Sequence, residues 1–233
     1  MPVSLSMRGP VALMGFDDGA SNILDVNNVN ALLRTFGEAQ ERAAAIVIAG
    51  RPGCYSTGLD YDLLQSGGEA ASRLLHAGTD LVLSMVECPR PVVVACTGDA
   101  LGAAAVSLLC SDFRIGRAGD FKIGMDWVAA GWPVPDLAVE LARARLSHRH
   151  FAMACNAAQL YAPDEAVEAG FLDSVTAGDV VEEACGVAAD LVERLDPAAF
   201  EITRRITCGR LSDAIIRAAG DLWRVARATQ RGQ

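Results

Sequence analysis

The chain has 233 residues, of which 52% are hydrophobic and 21% are charged, and this composition predicts a compact globular domain. Acidic residues outnumber basic residues by 29 to 20, which gives a formal net charge of −9. A negative chain is not drawn to nucleic-acid backbones or anionic lipid surfaces, so we expect neither as a partner.

The cysteines and the apolar segments indicate the cellular compartment in which we expect the protein. Seven cysteines are an odd number, no C-x-x-C pair is present, and most of the cysteines lie in apolar runs. This pattern predicts buried reduced thiols and neither disulfides nor a metal site. The nearly uncharged stretch 91–111 is interrupted by TGDALG, so neither half could span a bilayer. Because the N-terminus also lacks an export signal, we expect a cytoplasmic protein without a membrane span.

Strand and helix patterns alternate along the first half of the chain. The predicted strands are VALMGFDD, AAAIVIAG, PVVVAC and DFRIGR. The predicted helices between them are DVNNVNALLRTFGEA behind an Asp25 cap, a segment from about Glu69 to Glu87, and LGAAAVSLLCS. From Asp136 onward the pattern becomes helical, with FLDSV as the one plausible strand. Alternation of this kind predicts an α/β fold with parallel strands.

Two loops carry the strongest indication of chemistry. Gly53–Asp60 (GCYSTGLD) and Thr97–Ala105 (TGDALGAAA) each follow a buried strand and lead into the start of a helix. Backbone N–H groups at a helix start lack partners within the helix. If the loops converge, these groups could bind an oxyanion. The alternative is that both loops are simply tight strand-to-helix turns.

Several motifs in register resemble the enoyl-CoA hydratase/isomerase family, also called the crotonase superfamily. The segments CYSTGLD, PVVVACTGDALGAAA and CSDFRIG are similar to the family's F-S-A-G-x-D, P-V-x-A-x-x-N-G-x-A-x-G-G-G and D-x-R-I-A motifs. Farther along, LYAPDEAVEAGFLDSV matches Y-x-x-x-E-A-x-x-x-G-x-x-D-x-V. The resemblance runs from about Val11 to Val175. It implies an α/β fold with a spiral of ββα turns over residues 1–177 and a helical oligomerisation region over 178–233.

The resemblance implies that the chain binds an acyl-CoA. In the family, two backbone amides hold the thioester carbonyl, and these fall here on the N–H groups of Leu59 and Ala103. Ser56, Gly58 and Gly102 belong to the same loops and are expected to contact the ligand. Coenzyme A would enter as part of that ligand, and no separate cofactor or metal is expected.

Both glutamates that the family's hydratases use are replaced. The first falls on Val106 and the second on Trp127, within FKIGMDWVAAG. Because neither side chain can shuttle a proton, we expect acyl-CoA binding without efficient hydration. Trp127 is interpreted either as a wall of the acyl pocket or as ordinary core packing. The chain could instead be a hydratase, isomerase or hydrolase with a non-standard base, or a noncatalytic assembly partner. The candidate bases are Asp126, Asp136 and His76, although His76 lies about one turn from the histidine of the family's dehalogenase branch.

Other residues have structural interpretations or weaker functional ones. Asp60 is expected to cap a helix, and Asp112 is expected to form a turn or an ion pair near Arg114. Contacts with the phosphates of coenzyme A would fall on Arg51, Arg204 and Arg205. The resemblance implies a homotrimer or a dimer of trimers, and the last helix offers an apolar face for assembly. That face comprises Ile215, Ile216, Ala219, Leu222 and Trp223.

Overall fold

The computed structural model describes residues 2–219. The strands are β1 (Val3–Arg8), β2 (Val11–Phe16), β3 (Ile23–Leu24), β4 (Ala45–Ala49), β5 (Gly53–Ser56), β6 (Gly58–Leu59), β7 (Val92–Cys96), β8 (Gly98–Leu101), β9 (Phe113–Arg117), β10 (Ile123–Gly124) and β11 (Ser174–Thr176). The helices are α1 (Val26–Arg42), α2 (Tyr61–Ser66), α3 (Gly68–Val86), α4 (Ala103–Leu109), α5 (Asp136–Arg145), α6 (His148–Asn156), α7 (Pro163–Ala169), α8 (Val180–Arg194) and α9 (Pro197–Ala219).

The main sheet has the strand order β1-β2-β4-β7-β9-β11. Its first pair, β1 with β2, is antiparallel, and every other neighbouring pair is parallel. A second sheet has the order β10-β8-β5, and β3 pairs with β6. The chain therefore advances by repeated turns, each with one strand in the main sheet, one in the smaller sheet and then a helix. The predicted α/β fold with parallel strands is confirmed.

The main sheet is covered on both faces, as its continuous apolar strands require. All five residues of β4 and all five of β7 are buried. On one face, Ile46, Ile48 and Val94 belong to the core that includes α1, α3 and α4. On the other face, Val47 and Val93 belong to a second core that includes side chains of α8. Although α8 lies within the predicted C-terminal region, it packs against the sheet.

The two predicted loops contain short strands that the sequence analysis missed. GCYSTGLD holds β5 and β6, and TGDALG holds β8. Glycine permits the close approach of the two segments: a Cβ on Gly98 would lie 2.1 Å from the carbonyl carbon of Gly53. Strand β1 and helix α2 were also missed. Partners distant in the sequence define these strands, and a local pattern does not reveal such partners.

The last described helix, α9, packs against α5 and α3. Ile215 is fully buried, whereas Ile216 is 55% exposed, so the predicted apolar face is only partly free. Two members of that face, Leu222 and Trp223, lie outside the described residues. Six of the seven cysteines are buried and Cys54 is half-buried, all as free thiols. Within residues 2–219, no helix combines the length and hydropathy that a membrane span requires.

An ion pair fixes α9 to the sheet. The Arg204 guanidinium is bound by the carboxylate of Asp112 and is 5% exposed. The prediction that Arg204 contacts coenzyme A is therefore wrong, because its charge is buried and paired. The prediction that Asp112 forms a turn or an ion pair is confirmed for the ion pair, whose partner is Arg204. The neighbouring Arg114 binds Asp173 instead, at 2.7 Å.

Helix caps follow the sequence more closely. The Asp25 side chain accepts a hydrogen bond from the Asn28 N–H at the start of α1. The Asp60 side chain accepts one from the Leu63 N–H at the start of α2. Both caps are confirmed. A capping carboxylate can be predicted from the local sequence, because the donor and the acceptor are only three residues apart.

Candidate functional site

The two glycine-containing loops meet at Gly58. Its φ of +86° is readily adopted only by glycine. A Cβ on this residue would lie 2.6 Å from the carbonyl oxygen of Leu101 and 3.3 Å from the backbone nitrogen of Ala103. The first loop thus passes directly beside the start of α4. This is the convergence that the sequence analysis made a condition for an oxyanion site.

Hydrogen bonds orient the Leu59 amide. The Asp60 N–H donates to the Leu24 carbonyl at 3.2 Å, and the Gly58 N–H donates to Ser56 Oγ at 3.1 Å. Because successive N–H groups of a strand point in opposite directions, the Leu59 N–H faces away from β3. Ser56 Oγ in turn donates to the Asn22 carbonyl at 2.6 Å. These two hydrogen bonds of Ser56 stabilise the turn that precedes the Leu59 N–H.

The second amide belongs to Ala103, the first residue of α4. The first N–H groups of a helix have no carbonyl partner within it. The preceding Gly102 has a φ of +54°, and its own N–H donates to the Gly124 carbonyl at 2.9 Å. This bond to β10 fixes the backbone immediately before Ala103.

An apolar cavity, the outer cavity, is lined by both Leu59 and Ala103. Its volume is about 650 Å³, including the space open to solvent. Among the predicted site residues it brings together Leu59, Ala103, Val106 and Trp127. The other walls come mainly from α3 and from the start of α5. They are Leu24, Val29, Leu74, Leu75, Gly78, Thr79, Leu81, Val82, Met85, Ser107, Pro135, Leu137 and Ala138.

No carboxylate or histidine is present among these lining residues. Val106 and Trp127 occupy the two positions at which the resemblance placed catalytic glutamates, and both are buried. The Thr79 hydroxyl donates to the Leu75 carbonyl at 2.9 Å, so its hydrogen is used within α3. The cavity is thus lined almost entirely by apolar side chains, and two of its lining residues, Leu59 and Ala103, belong to the two loops.

One carboxylate lies close to the second amide. Asp126 Oδ1 lies 3.1 Å from the position that a Cβ on Gly102 would take, and the hydroxyl of Tyr61 is equally close. That hydroxyl donates to Asp126 Oδ1 at 3.4 Å, and the Tyr61 ring lies 6.1 Å from that of Trp132. Burial raises the pKa of the Asp126 carboxyl, although hydrogen bonds from its own backbone and from Tyr61 oppose the change.

The remaining candidate bases lie elsewhere. His76 is exposed on α3, where its Nδ1 is 2.9 Å from the carbonyl oxygen of Ser72. Asp136 begins α5 and is exposed. Neither residue lines the cavity. Of the three, only Asp126 lies beside Gly102.

Most of the cavity wall was not predicted from the sequence. The sequence predicts a helix from about Glu69 to Glu87, and α3 presents Leu74, Leu75 and Met85 of that segment to the cavity. Nothing in the periodicity of a helix distinguishes a face that packs on protein from a face that lines a cavity. Tyr61 was also missed, because its link to Asp126 joins positions 65 residues apart.

Comparisons with known proteins identify the family and the fold. The sequence model described as enoyl-CoA hydratase/isomerase matches residues 7–214. The chain belongs to this family. An enoyl-CoA hydratase/isomerase family protein from Pseudomonas syringae is 32% identical, with a TM-score of 0.89 over 94% of this chain and 96% of the other. The probable enoyl-CoA hydratase EchA3 from Mycobacterium tuberculosis is 29% identical, with a TM-score of 0.91 over 100% and 97%.

These structures confirm the crotonase-like spiral that the sequence motifs implied. Among curated proteins, the probable enoyl-CoA hydratase EchA17 from Mycobacterium avium is 28% identical over 148 residues. That match covers 62% of this chain and only 56% of the relative, so the chain spans a little over half of the relative's length. The assignment of the chain to the family therefore rests on the sequence-model match and on the fold.

Proposed function

We propose that this member of the enoyl-CoA hydratase/isomerase family binds an acyl-CoA and holds its thioester carbonyl between the N–H groups of Leu59 and Ala103. Val106 and Trp127 form walls around the acyl group. We further propose that the chain hydrates a 2-enoyl-CoA at no more than a trace rate. An acyl-CoA carrier or sequestering protein is the function that best fits these features.

One observation supports this proposal most directly. Leu59, Ala103, Val106 and Trp127 line the same apolar cavity although they are far apart in the sequence. An open cavity of this size also argues against a purely structural assembly partner, whose loops would have no reason to leave such a space. The two amides would bind the carbonyl oxygen, and they need no side chain to do so.

The weak hydration follows from the side chains at positions 106 and 127. Adding water to a 2-enoyl-CoA requires a group that activates the water and a group that delivers a proton. Such groups typically contribute about 10² to 10⁴ in rate. Valine has no exchangeable proton, and the indole N–H of tryptophan is a donor that does not act as a base.

Ala103→Pro tests the oxyanion site. Proline at the first position of a helix removes the N–H but breaks no helical hydrogen bond, and Pro163 begins α7 in this way. Because one carbonyl donor is lost, we expect the variant to bind an acyl-CoA about tenfold more weakly. Ala103→Gly is the matched control, since it keeps the N–H and should bind as the unmodified chain does.

A thioether analogue without the carbonyl provides the second arm. The unmodified chain should prefer the thioester over the thioether, and Ala103→Pro should lose that preference. Calorimetry measures both affinities, and circular dichroism confirms that the variant is folded. Equal binding of thioester and thioether by the unmodified chain would show that these amides do not hold the carbonyl.

A second candidate function rests on Asp126. Its carboxylate and the Tyr61 hydroxyl lie beside Gly102, one residue from the proposed carbonyl donor. A carboxyl group with a raised pKa can exchange protons closer to neutral pH. In this alternative, Asp126 moves a proton on the acyl group and Tyr61 positions the carboxylate.

Turnover assays distinguish the two functions. The chain is incubated with 2-enoyl-CoA and with 3-enoyl-CoA, and the products are identified by mass spectrometry and chromatography. Robust hydration by the unmodified chain would refute the carrier function. If turnover is found, Asp126→Asn should abolish it and Tyr61→Phe should shift its pH profile. His76→Gln and Asp136→Asn, which alter residues outside the cavity, are the controls.

We also infer that the chain assembles as a homotrimer or a dimer of trimers. The exposed isoleucines of α9 support this proposal, because Ile202 is 58% exposed and Ile206 is 75% exposed. Sedimentation at micromolar concentration checks the inference. A stable monomer would refute it.

A further inference from the structure

A second apolar cavity, deeper in the core, adjoins the outer cavity, which Leu59 and Ala103 line. This inner cavity has a volume of about 460 Å³, including the space open to solvent, and lies between α1, α4 and the main sheet. It shares four wall residues with the outer cavity, namely Leu24, Leu81, Met85 and Ser107. Its remaining walls are Met14, Phe16, Leu32, Phe36, Ile48, Tyr55, Ser56 and Ala104. The shared residues form the boundary between the two spaces.

A β-bulge directs Tyr55 into the inner cavity. In the pairing of β5 with β8, Cys54 is opposite Asp99 and Ser56 is opposite Ala100, so Tyr55 has no partner of its own. A bulged residue turns its side chain away from the regular alternation. Tyr55 is 6% exposed, and its hydroxyl lies 3.2 Å from Oγ of Ser107, which borders both cavities.

The hydroxyl hydrogens around the inner cavity are already used. Ser107 Oγ donates to the Ala104 carbonyl at 2.7 Å, so Tyr55 must donate the hydrogen in its contact with Ser107. Ser56 Oγ donates to the Asn22 carbonyl. Burial raises the pKa of Tyr55, which keeps its hydroxyl protonated. A ligand oxygen entering here would lose its water and find no donor in exchange.

We propose that the inner cavity receives the distal part of an unsubstituted hydrocarbon chain, so that the acyl-CoA bound by this protein is of medium or long chain length. The acyl chain leaves the carbonyl at Leu59 and Ala103, crosses the outer cavity, and passes Ser107 between Leu81 and Met85. This inference rests on the proposed acyl-CoA binding and specifies which acyl groups bind. A hydrocarbon chain is the ligand that the apolar walls of the two cavities favour.

The first test is an affinity series on the unmodified chain. Saturated butyryl-, hexanoyl-, octanoyl-, dodecanoyl- and hexadecanoyl-CoA are titrated by calorimetry below their micelle concentrations. Each methylene that becomes buried should tighten binding about fourfold, and dodecanoyl-CoA should bind at least about 100-fold more tightly than butyryl-CoA. ω-Hydroxydodecanoyl-CoA should lose at least about tenfold relative to dodecanoyl-CoA, because its terminal hydroxyl reaches the inner cavity.

Substitutions at Leu32 test the inner cavity itself. Leu32 lines only that cavity and is 7% exposed. Leu32→Phe should cost dodecanoyl-CoA at least about tenfold in affinity and leave butyryl-CoA unchanged within about twofold. Leu32→Ala enlarges the cavity and should extend the chain length at which affinity stops rising. Leu108→Phe is the control, because Leu108 is fully buried on α4 outside both cavities.

The outcomes separate this inference from the proposed function. If butyryl-CoA binds but affinity stops rising at hexanoyl-CoA, the inner cavity is not an acyl site and the inference is wrong. The same holds if Leu32→Phe and Leu32→Ala both leave the length profile of the unmodified chain unaltered. If no acyl-CoA of any length binds, the proposed function itself fails. The length series needs no variant, so it decides the matter even if a substituted chain does not fold.

Discussion

Replacing Trp127 by alanine tests the side chain at the second position where the family resemblance placed a catalytic glutamate. The indole is 3% exposed, lines the outer cavity, and its Cε2 would lie 3.9 Å from a Cβ on Gly102. The ring therefore serves both the core and the cavity. Removing it deletes the part of the cavity wall beside Gly102 and leaves a void behind.

Two magnitudes are expected, and they are measured separately. Loss of a large buried aromatic side chain typically lowers the free energy of unfolding by about 3–5 kcal/mol. Loss of the apolar contacts with the acyl group should weaken acyl-CoA binding by about 1–3 kcal/mol, which is about 5- to 150-fold in dissociation constant. Urea denaturation gives the first quantity, and calorimetry at low temperature on the folded variant gives the second.

Phe171→Ala is the matched control for Trp127→Ala. Phe171 is fully buried and packs against Tyr161, away from the cavity. It should lower stability by a similar amount and leave affinity unaltered. Trp127→Phe should retain most of both quantities. An unchanged dissociation constant in folded Trp127→Ala would refute the wall assignment, and an equal loss of affinity in Phe171→Ala would show that the effect is not local.

Three other substitutions test the electrostatics and the backbone. The raised pKa of Asp126 means that stability present below the unfolded-state pKa is lost as pH rises through the folded-state pKa. Asp126→Asn should therefore raise the melting temperature at neutral pH, and calorimetry should show the gain disappear in acid; a constant gain at all pH values would exclude this cause. Gly58→Ala should lower the free energy of unfolding by at least about 1–3 kcal/mol in urea denaturation, because of its φ of +86° and its contact with Leu101; an unchanged midpoint would contradict this. Arg204→Met should cost about 3–5 kcal/mol, because it leaves the Asp112 carboxylate unpaired, and adding Asp112→Asn should restore part of the loss; no recovery in the double variant would argue against a buried charge pair.

The two loops, Gly53–Asp60 and Thr97–Ala105, show what could be predicted from the sequence and what could not. In the sequence, Gly58 and Gly102 indicate that the chain turns sharply. The apolar strands before them indicate where the turns begin. The sequence also showed that positions 106 and 127 carry no carboxylate. What it did not show is the passage of Gly58 beside the Ala103 nitrogen, since this contact depends on the pairing of β5 with β8.

The roles of charged residues could be predicted where the partner is close in the sequence, and not where it is distant. Asp25 and Asp60 could be assigned as caps because each bonds to an N–H three residues away. Arg204 was assigned to coenzyme A, yet it reaches a carboxylate 92 residues earlier. His76 was a candidate base by its chemistry, but the rotation of α3 places it on the exposed side. Local partners are visible in a sequence, whereas distant partners depend on how the elements pack.

The sequence by itself therefore determined the alternation of strands and helices, the caps, the glycine turns, the family and the absence of a carboxylate at positions 106 and 127. Each of these depends on residue type and on spacings of a few positions. Only the tertiary structure decided which apolar residues enclose a cavity and which fill the core. Leu74 on α3 and Leu108 on α4 are both fully buried leucines, yet only Leu74 lines the outer cavity. The difference lies in the packing of neighbouring elements, because a helix presents the same apolar face to a protein core or to a ligand.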